Sequence, residues 1–470
     1  MILRISEYSY KYNVFSVIFC PEALSPHLQR PSVRKSALSA HQPIVFQPSV
    51  WESAAFAHRI LGNPRFFDDI SILMKRLRKD EALSLYRDAP LGELCERAQE
   101  ARFAHVPGRR VSYQIDRNVN YTNVCLSGCK FCNFHCRPDE PEKAYTLTFE
   151  DYLPKIAELR ALGGDQLLLQ GGLHPRYGID FYETLFRRLK EVDPSLKLNA
   201  LGPPEIAHIA RLSKMTYREV LVRLRDAGLD TLPGAGAEIL VDRVRRFLSP
   251  AKPSAQQWLD VMREAHALGM STTATMVYGH IETLAERIDH LLALRALQDE
   301  RPAGAPGFRA FICWPMQLTG TPLARMAAAG ILPEGISLPG EPRRWTPDEE
   351  FLRTIAIARL VLDNVDHIQA SWLTVGLPTG LRALSAGADD MGSIMIEENV
   401  VSSAGARHTL ADPAGAQGAL ADPAETPGTL ADPAGTPGSL ADPAGARNLR
   451  AAIISAGFEP WLRDQQYNAR

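Results

Sequence analysis

The stretch that decides the fold reads Cys125-Leu-Ser-Gly-Cys129-Lys-Phe-Cys132-Asn-Phe-His-Cys136 and follows the first predicted strand, Val119–Val124. Four of the seven cysteines lie in these twelve residues, which favours a metal site over a disulfide framework. Three thiolates within eight residues, with Gly128 allowing a tight turn, can hold three corners of a cuboidal iron–sulfur cluster. The fourth iron would then stay open.

Two simpler interpretations of the same cysteines stay open. All four could hold a structural zinc ion, although such sites usually come as two Cys-x2-Cys pairs separated by a longer loop. They could also bind a fully ligated electron-transfer cluster, although the bacterial ferredoxin run begins with a spacing of two residues where this chain has three. The spacing favours the cluster with an open corner.

Beyond the cysteines, short buried runs alternate with amphipathic helices. The eight predicted strands are Val119–Val124, Gln166–Gln170, Lys197–Leu201, Asp230–Leu232, Thr272–Val277, Phe308–Trp314, His367–Trp372 and Asp389–Met391. The predicted helices are Tyr152–Leu162, Phe181–Val192, Tyr217–Ala227, Ala255–Leu268, Leu284–Leu297 and Asp348–Leu362. This alternation predicts a parallel sheet, and eight units closing on themselves make a (β/α)8 TIM-type barrel. An open doubly wound sheet is the alternative, but no Gly-x-Gly-x-x-Gly follows an early strand.

The two ends of the chain depart from this alternation. Residues 1–64 show no sustained period and are predicted to be a poorly ordered extension. The barrel is predicted over 65–408, with one or two amphipathic helices at its start, and a last helix is predicted in 448–470. In between, over 409–447, a ten-residue repeat begins with Thr409-Leu-Ala-Asp-Pro and recurs with small changes from Ala419, Thr429 and Ser439. With almost no large apolar residue, the repeat predicts a disordered insertion.

Composition narrows the class of ligand. The 470 residues are 45% hydrophobic and 23% charged, and the formal net charge is -2. This balance gives no excess of basic residues that would bind nucleic acid or an anionic membrane. It favours a small neutral or acidic ligand. The longest early apolar run, Val14–Cys20, is far shorter than the ~20 residues of a membrane span, so we expect a cytoplasmic protein.

The motif Cys-x3-Cys-x-aromatic-Cys at the end of a first barrel strand resembles the signature of radical S-adenosylmethionine (SAM) enzymes. Further segments resemble the branch of these enzymes that makes menaquinone through futalosine and deazaflavin cofactors. They are Arg117–Cys125, Leu169–Pro175, Pro203–Ile206, Leu232–Ile239, Ala274–Glu282, Trp314–Pro315, Gln369–Trp372, Gly387–Gly392 and Glu397–Val400. Together they look most like the cyclic dehypoxanthinyl futalosine synthase (dehypoxanthine futalosine cyclase) family.

The resemblance implies a 4Fe-4S cluster on Cys125, Cys129 and Cys132, with SAM at the open iron; Cys136 is not counted as a ligand. It implies a 5'-deoxyadenosyl radical that removes a hydrogen atom from the ribose of dehypoxanthine futalosine. The ribose radical adds to the substrate's aromatic ring, and loss of an electron and a proton then restores aromaticity and yields cyclic dehypoxanthinyl futalosinate. An electron donor such as flavodoxin or ferredoxin is expected, with no nucleic acid and no membrane partner.

The resemblance and the positions at strand ends also predict further site residues. Cofactor contacts are predicted for Phe131, Gln170, Gly171, Gly172 and Glu238. The predicted general bases are His174, His280 and Glu282. The predicted substrate contacts are Ser371, Trp372, Asp390, Glu397 and Asn399. Phe131 and Trp372 fit a barrel core equally well.

Three other functions stay open at this point. Two are sister radical SAM enzymes, aminofutalosine synthase and the deazaflavin cofactor synthase subunit that joins tyrosine to a pyrimidine. The third is a non-enzymatic scaffold in which four cysteines hold zinc. The segments Gln170-Gly-Gly-Leu-His-Pro175 and Gly202-Pro-Pro-Glu205 favour the cyclase.

Overall fold

The computed structural model describes residues 76–339, 343–394, 396–397, 399–400, 402–406 and 443–470. All of them belong to one unit, Met74–Arg470. The predicted N-terminal extension and most of the decapeptide repeat lie outside the described residues.

The described residues form ten strands and fourteen α-helices. The strands are β1 Arg110–Gln114, β2 Asp116–Asn120, β3 Gln166–Gln170, β4 Lys197–Ala200, β5 Thr231–Leu232, β6 Ser271–Tyr278, β7 Gly307–Pro315, β8 His367–Ala370, β9 Asp390–Ser393 and β10 Glu459–Leu462. The helices are α1 Lys79–Asp88, α2 Leu91–His105, α3 Tyr152–Ala161, α4 Ile179–Val192, α5 Pro203–Ser213, α6 Tyr217–Asp226, α7 Asp242–Leu248, α8 Ala255–Ala267, α9 Leu284–Asp299, α10 Pro322–Ala328, α11 Pro347–Val361, α12 Trp372–Val375, α13 Leu377–Ala383 and α14 Pro443–Ser455.

The ten strands form one parallel sheet in the order β10-β1-β9-β8-β7-β6-β5-β4-β3-β2. Only Ile115 separates β1 from β2, so they make one bent segment. Its first half pairs with β9 and β10, and its second half pairs with β3. Because this segment contacts the strands at both ends of the β3 to β9 series, the sheet curls into a barrel and the predicted fold class is confirmed. A doubly wound sheet would instead reverse its strand order.

The strand boundaries differ from the prediction mainly around the cysteines. The first barrel strand ends at Asn120, whereas the sequence predicted Val119–Val124. Beyond Asn120 the regular ladder ends, although Tyr121 N–H still donates to Gln170 O and Thr122 O accepts from Gly172 N–H. Thr122 and Val124 also form isolated bridges to Thr146 and Cys136. β1 and β10 were not predicted because their pairing joins distant parts of the chain.

Local capping explains where several outer helices begin. Thr216, Ser254 and Thr283 each accept a backbone N–H from the third residue of the following helix, and the Glu or Gln there closes a capping box. The helix α14 begins at Pro443, inside the segment predicted as repeat rather than at Leu449. Proline is well suited to the first turn of a helix, because the N–H that it lacks would have no partner there.

The hydrophobic core lies between the outer face of the sheet and the helices. Trp258 of α8, for example, is fully buried and stacks on Phe308 of β7 with ring centroids 6.3 Å apart. Among the described helices, none combines the length and the apolar character that crossing a membrane requires. The inner face of the barrel is different, because many of its side chains are polar.

Candidate active site

The inward faces of the strands enclose a cavity of about 470 Å³. In most TIM barrels, large apolar side chains fill this interior. Here Gln114, Asp116, Asn118 and Asn120 occupy alternate positions along β1 and β2 and all line the cavity. A hollow interior with polar walls is a place for a ligand.

The cysteine loop lies at one end of this cavity. Cys125, Cys129 and Cys132 all line it. The hydroxyl oxygen of Ser127 lies 2.8 Å from Cys125 Sγ and 3.3 Å from Cys129 Sγ. Gly128 has a φ of +59°, a conformation that a glycine adopts without strain, so the chain can turn between the first two cysteines. The loop therefore directs three thiols to one space.

Hydrogen bonds to the sulfurs suit their use as ligands. Burial raises the pKa of the Cys125 thiol, and N–H groups of Ser127 and Leu173, at 3.4 and 3.3 Å, oppose that rise. Burial likewise raises the pKa of Cys132. Among the described residues, no three His, Cys, Asp or Glu gather as a set for one metal ion. The N–H donors at Cys125 and Cys132 suit sulfurs that each bind one iron of a cluster.

Cys136 has a different environment. It is buried, its thiol lies 3.5 Å from Asn123 Oδ1, and it does not line the cavity. Its backbone N–H donates to Asn123 O, and its carbonyl accepts from Cys125 N–H. These bonds tie the end of the loop to its beginning. The three-cysteine ligand set stays a prediction, and this geometry favours it.

A buried ion pair lies beside the cysteines. Lys252 Nζ is 2.6 Å from Glu238 Oε1 and 5.5 Å from the centre of the Phe131 ring, and all three residues line the cavity. Burial alone would raise the pKa of Glu238, but Lys252 and Arg245 outweigh it and hold that pKa below its ordinary value. Glu238 Oε2 has no hydrogen-bond partner. This carboxylate can therefore still accept a hydrogen bond from a ligand.

Glu238 also has a strained backbone, with a φ of +41°. It precedes α7 and is not part of that helix, so it does not serve as a first-turn glutamate that stabilises a helix dipole. Strained non-glycine residues are concentrated at ligand sites. Lys252 was not predicted as a site residue. It lies in a loop between Pro250 and Pro253, and only the folded chain places it next to Glu238.

The end of β3 approaches the cysteine loop closely. A Cβ at Gly172 would lie 2.1 Å from Val124 O, and one at Gly171 would lie 2.7 Å from the Tyr121 ring. Both glycines and Gln170 line the cavity. Glycine is thus required for packing, and its small size also leaves backbone groups facing the space beside the cysteines.

The predicted general bases lie outside the cavity lining, which argues against that role. His280 and Glu282 are fully buried and bonded to each other at 2.8 Å, and Arg287 of α9 lies 2.9 Å from the same carboxylate. Arg287 and His280 hold the pKa of Glu282 below its ordinary value, although burial opposes them. His174 is stacked on Tyr177 with ring centroids 3.7 Å apart. All three residues stabilise loops at the strand ends.

The predicted substrate contacts divide into two groups. Ser371 and Trp372 line the cavity, and Ser371 Oγ is buried without a partner. Asp390, Glu397 and Asn399 do not line it. Asp390 pairs with Arg463, Glu397 pairs with Arg117 and Lys155, and Asn399 Nδ2 donates to Asn120 Oδ1 at 3.2 Å. These three groups are bonded to other side chains of the barrel, and their role as substrate contacts stays a prediction.

Two further carboxyl groups line the cavity and were not predicted. Burial raises the pKa of Asp116 on β2, which accepts from Gln166 Nε2 at 2.9 Å. Burial raises the pKa of Glu205 to about 7. A carboxyl group with the pKa of Glu205 can exchange protons near neutral pH. The alternating polar residues of Gln114-Ile-Asp-Arg-Asn-Val-Asn120 are the signal in the sequence from which this side of the cavity could have been predicted.

Two family models match the chain. The model of the radical SAM superfamily matches residues 119–294, and that of the CofH/MqnC C-terminal region matches residues 305–429. A cyclic dehypoxanthine futalosine synthase of Streptomyces coelicolor (strain ATCC BAA-471 / A3(2) / M145) is 46% identical over 335 residues, which are 71% of this chain and 79% of that protein. The chain belongs to the radical SAM superfamily. It is therefore an enzyme of that superfamily, whose members use a 4Fe-4S cluster and SAM.

Two further relatives resemble the chain over most of its length, and one solved structure resembles its fold. A cyclic dehypoxanthine futalosine synthase of Halalkalibacterium halodurans is 38% identical over 71% of this chain and 84% of that protein. A 5-amino-6-(D-ribitylamino)uracil--L-tyrosine 4-hydroxyphenyl transferase 1 of Methanosarcina acetivorans is 36% identical over 70% of this chain and 82% of that protein. The solved structure of methylornithine synthase (PylB) matches with a TM-score of 0.55 and 19% identity over 84% of this chain and 97% of that one, which supports the fold. Superfamily membership favours the cluster with an open corner over the zinc scaffold.

Proposed function

We propose that this radical SAM enzyme converts dehypoxanthine futalosine to cyclic dehypoxanthinyl futalosinate in menaquinone biosynthesis. The observation that carries the proposal is the 46% identity to the Streptomyces coelicolor synthase, against 36% to the Methanosarcina acetivorans transferase over a similar length. The transferase activity is the second candidate, because that relative also covers most of the barrel. Both the cyclase and the transferase activity act on a small-molecule substrate. We expect a flavodoxin or ferredoxin as the electron donor.

In this proposal the cysteine end of the cavity is the cofactor end. Cys125, Cys129 and Cys132 would hold the cluster, which with SAM would supply the 5'-deoxyadenosyl radical chemistry needed for hydrogen-atom removal from the substrate. Glu238 Oε2 accepts a hydrogen bond from the SAM ammonium or ribose, and Lys252 keeps that carboxylate ionised. Phe131 packs beside the same charge pair.

The rest of the cavity holds the sugar and the aromatic ring of the substrate near each other. The ring closure forms one carbon–carbon bond within one molecule, so its main requirement is orientation. The barrel wall encloses the reacting carbon and excludes competing hydrogen donors. Restoring the aromatic ring requires the loss of one proton and one electron. The proton leaves to one of the two lining carboxyl groups, Asp116 or Glu205, and the electron passes to a redox protein of the flavodoxin or ferredoxin class.

The test is an anaerobic assay of the reconstituted enzyme with reductant and SAM. Dehypoxanthine futalosine should give 5'-deoxyadenosine and the cyclised product. Tyrosine with 5-amino-6-(D-ribitylamino)uracil, and the enolpyruvyl-benzoate substrate of aminofutalosine synthase, should give neither above background. Product from one of these two mixtures alone would reject the cyclase in favour of that sister activity.

A further inference from the structure

Four buried amide side chains, three on the neighbouring strands β1, β2 and β3 and one just after β10, carry atoms without hydrogen-bond partners. Gln114, Asn118, Gln166 and Gln465, here called the amide wall, all line the cavity and are 4%, 6%, 2% and 8% exposed. The unpartnered atoms are Gln114 Nε2, Asn118 Oδ1, Gln166 Oε1 and both amide atoms of Gln465. Buried polar atoms are nearly always hydrogen-bonded, so several unpartnered ones facing one cavity indicate where a ligand binds.

Neighbouring residues fix which amide atoms face the cavity. Arg463 Nη1 donates to Gln114 Oε1 at 2.8 Å. A guanidinium only donates, so the Gln114 oxygen faces Arg463 and its NH2 group is left for a ligand. Gln166 Nε2 donates to Asp116 Oδ2 at 2.9 Å, which leaves the Gln166 oxygen free. The wall thus presents both a donor and acceptors.

This mixture of donors and acceptors identifies the chemistry of the ligand. A hydroxyl group both donates and accepts, so it satisfies both kinds of atom. A carboxylate only accepts and would face the oxygens of Asn118 and Gln166 unfavourably. The charge of Arg463 is already matched by Asp390, so the wall offers no free cation from that residue. Arg309 of β7 lines the same cavity with an unpartnered Nε, but β7 is not one of the strands of the wall, so this cation would serve another part of the ligand.

We propose that the amide wall binds the hydroxyl groups of the substrate's sugar and that Gln465 determines specificity for them. The inference rests on the proposed function, in which the substrate carries a ribose. Gln465 is the most informative member, because both its amide atoms are unpartnered and it follows β10 near the end of the chain. Gln466 lines a second cavity instead and supplies a matched control.

The experiment measures dissociation constants by isothermal titration calorimetry on the reconstituted holoenzyme with SAM and without reductant. The ligands are dehypoxanthine futalosine and its monodeoxy analogues, each lacking one ribose hydroxyl. The proteins are the wild type, Gln465→Leu and Gln466→Leu. A site built to bind a hydroxyl discriminates strongly against the analogue that lacks it, so we expect the wild type to prefer the substrate by on the order of 10-fold over at least one analogue.

Gln465→Leu should bind the substrate about 10-fold more weakly and lose that preference, while Gln466→Leu keeps both. Unchanged discrimination in Gln465→Leu would overturn the inference. If that variant does not fold, Gln465→Glu, which keeps the shape and loses the NH2 group, should show the same loss. If the wild type fails to convert dehypoxanthine futalosine, the proposed function fails; the same comparison with 5-amino-6-(D-ribitylamino)uracil and its monodeoxy ribityl analogues then decides the role of the wall.

Discussion

The cysteine loop and the amide wall line the same cavity, but the chain builds them in opposite ways. The loop takes its three thiols from one run of eight residues, Cys125 to Cys132, and its charge pair from nearby Glu238 and Lys252. The wall takes neutral side chains from β1, β2, β3 and the residues after β10. The charged end suits the cofactors that the superfamily shares, and the neutral wall suits the part of the substrate that distinguishes one member from another.

The strongest test of the comparison removes one thiol from each environment. Cys129→Ala should abolish the broad visible absorbance of the cluster and SAM cleavage together, because the loop supplies every protein ligand. Cys136→Ala is the matched control and should keep both, since Cys136 does not line the cavity. Absorbance spectra measure how much cluster is bound, and the yield of 5'-deoxyadenosine measures SAM cleavage. Loss of the cluster in Cys136→Ala would show that the ligand set is wrong.

A second test removes the cation of the cysteine end. Lys252→Met leaves the Glu238 carboxylate buried and unpaired, which typically costs about 3–5 kcal/mol of unfolding free energy. Adding Glu238→Gln should recover part of that loss. Denaturant unfolding of the single and double variants measures it. If Lys252→Met were as stable as the wild type, the interpretation of Glu238 and Lys252 as a buried ion pair that contributes to stability would be wrong.

The third test asks whether Glu282 acts in catalysis. Glu282→Gln leaves the buried Arg287 charge without its full partner, so we expect a loss of about 2–3 kcal/mol of stability. The turnover of the folded variant should change by less than about threefold, because Glu282 does not line the cavity. Thermal unfolding and kcat at low temperature separate the two effects. A drop in kcat of about 100-fold with normal folding would restore the general-base interpretation.

The smallest expected effect concerns Glu205 and pH. Burial raises its pKa from 4.5 to about 7, so the folded protein holds a proton there that the unfolded chain has released. Stability from this group is present below pH 4.5 and is lost as the pH rises towards 7. Glu205→Gln should therefore gain on the order of 1–3 kcal/mol relative to the wild type between pH 5 and pH 8. If the melting temperatures of Glu205→Gln and the wild type differed by the same amount at pH 5 and at pH 8, the raised pKa of Glu205 would be contradicted.

The two regions also differ in how far the sequence predicts them. The cysteine loop was predicted because its chemistry lies in local spacing, and six outer helices were found from their apolar periods. The wall was missed, because the side that Gln114 and Asn118 face depends on pairing with β3, β9 and β10. The burial of His280 was not predicted for a similar reason, since its partner Glu282 is also paired with Arg287 on the following helix; its role as a general base stays a prediction. Long-range contacts decided each of these cases.

The bent segment formed by β1 and β2 has a consequence for the order of folding. Gln114 and Arg463 are 349 residues apart in the chain, and contacts between such distant residues form slowly because a long loop must close first. We expect the helix–strand units around the cysteines to form earlier. A late intermediate then has its cysteine loop built while one side of the barrel is still open, so iron and sulfide can be delivered before the last pairing encloses them.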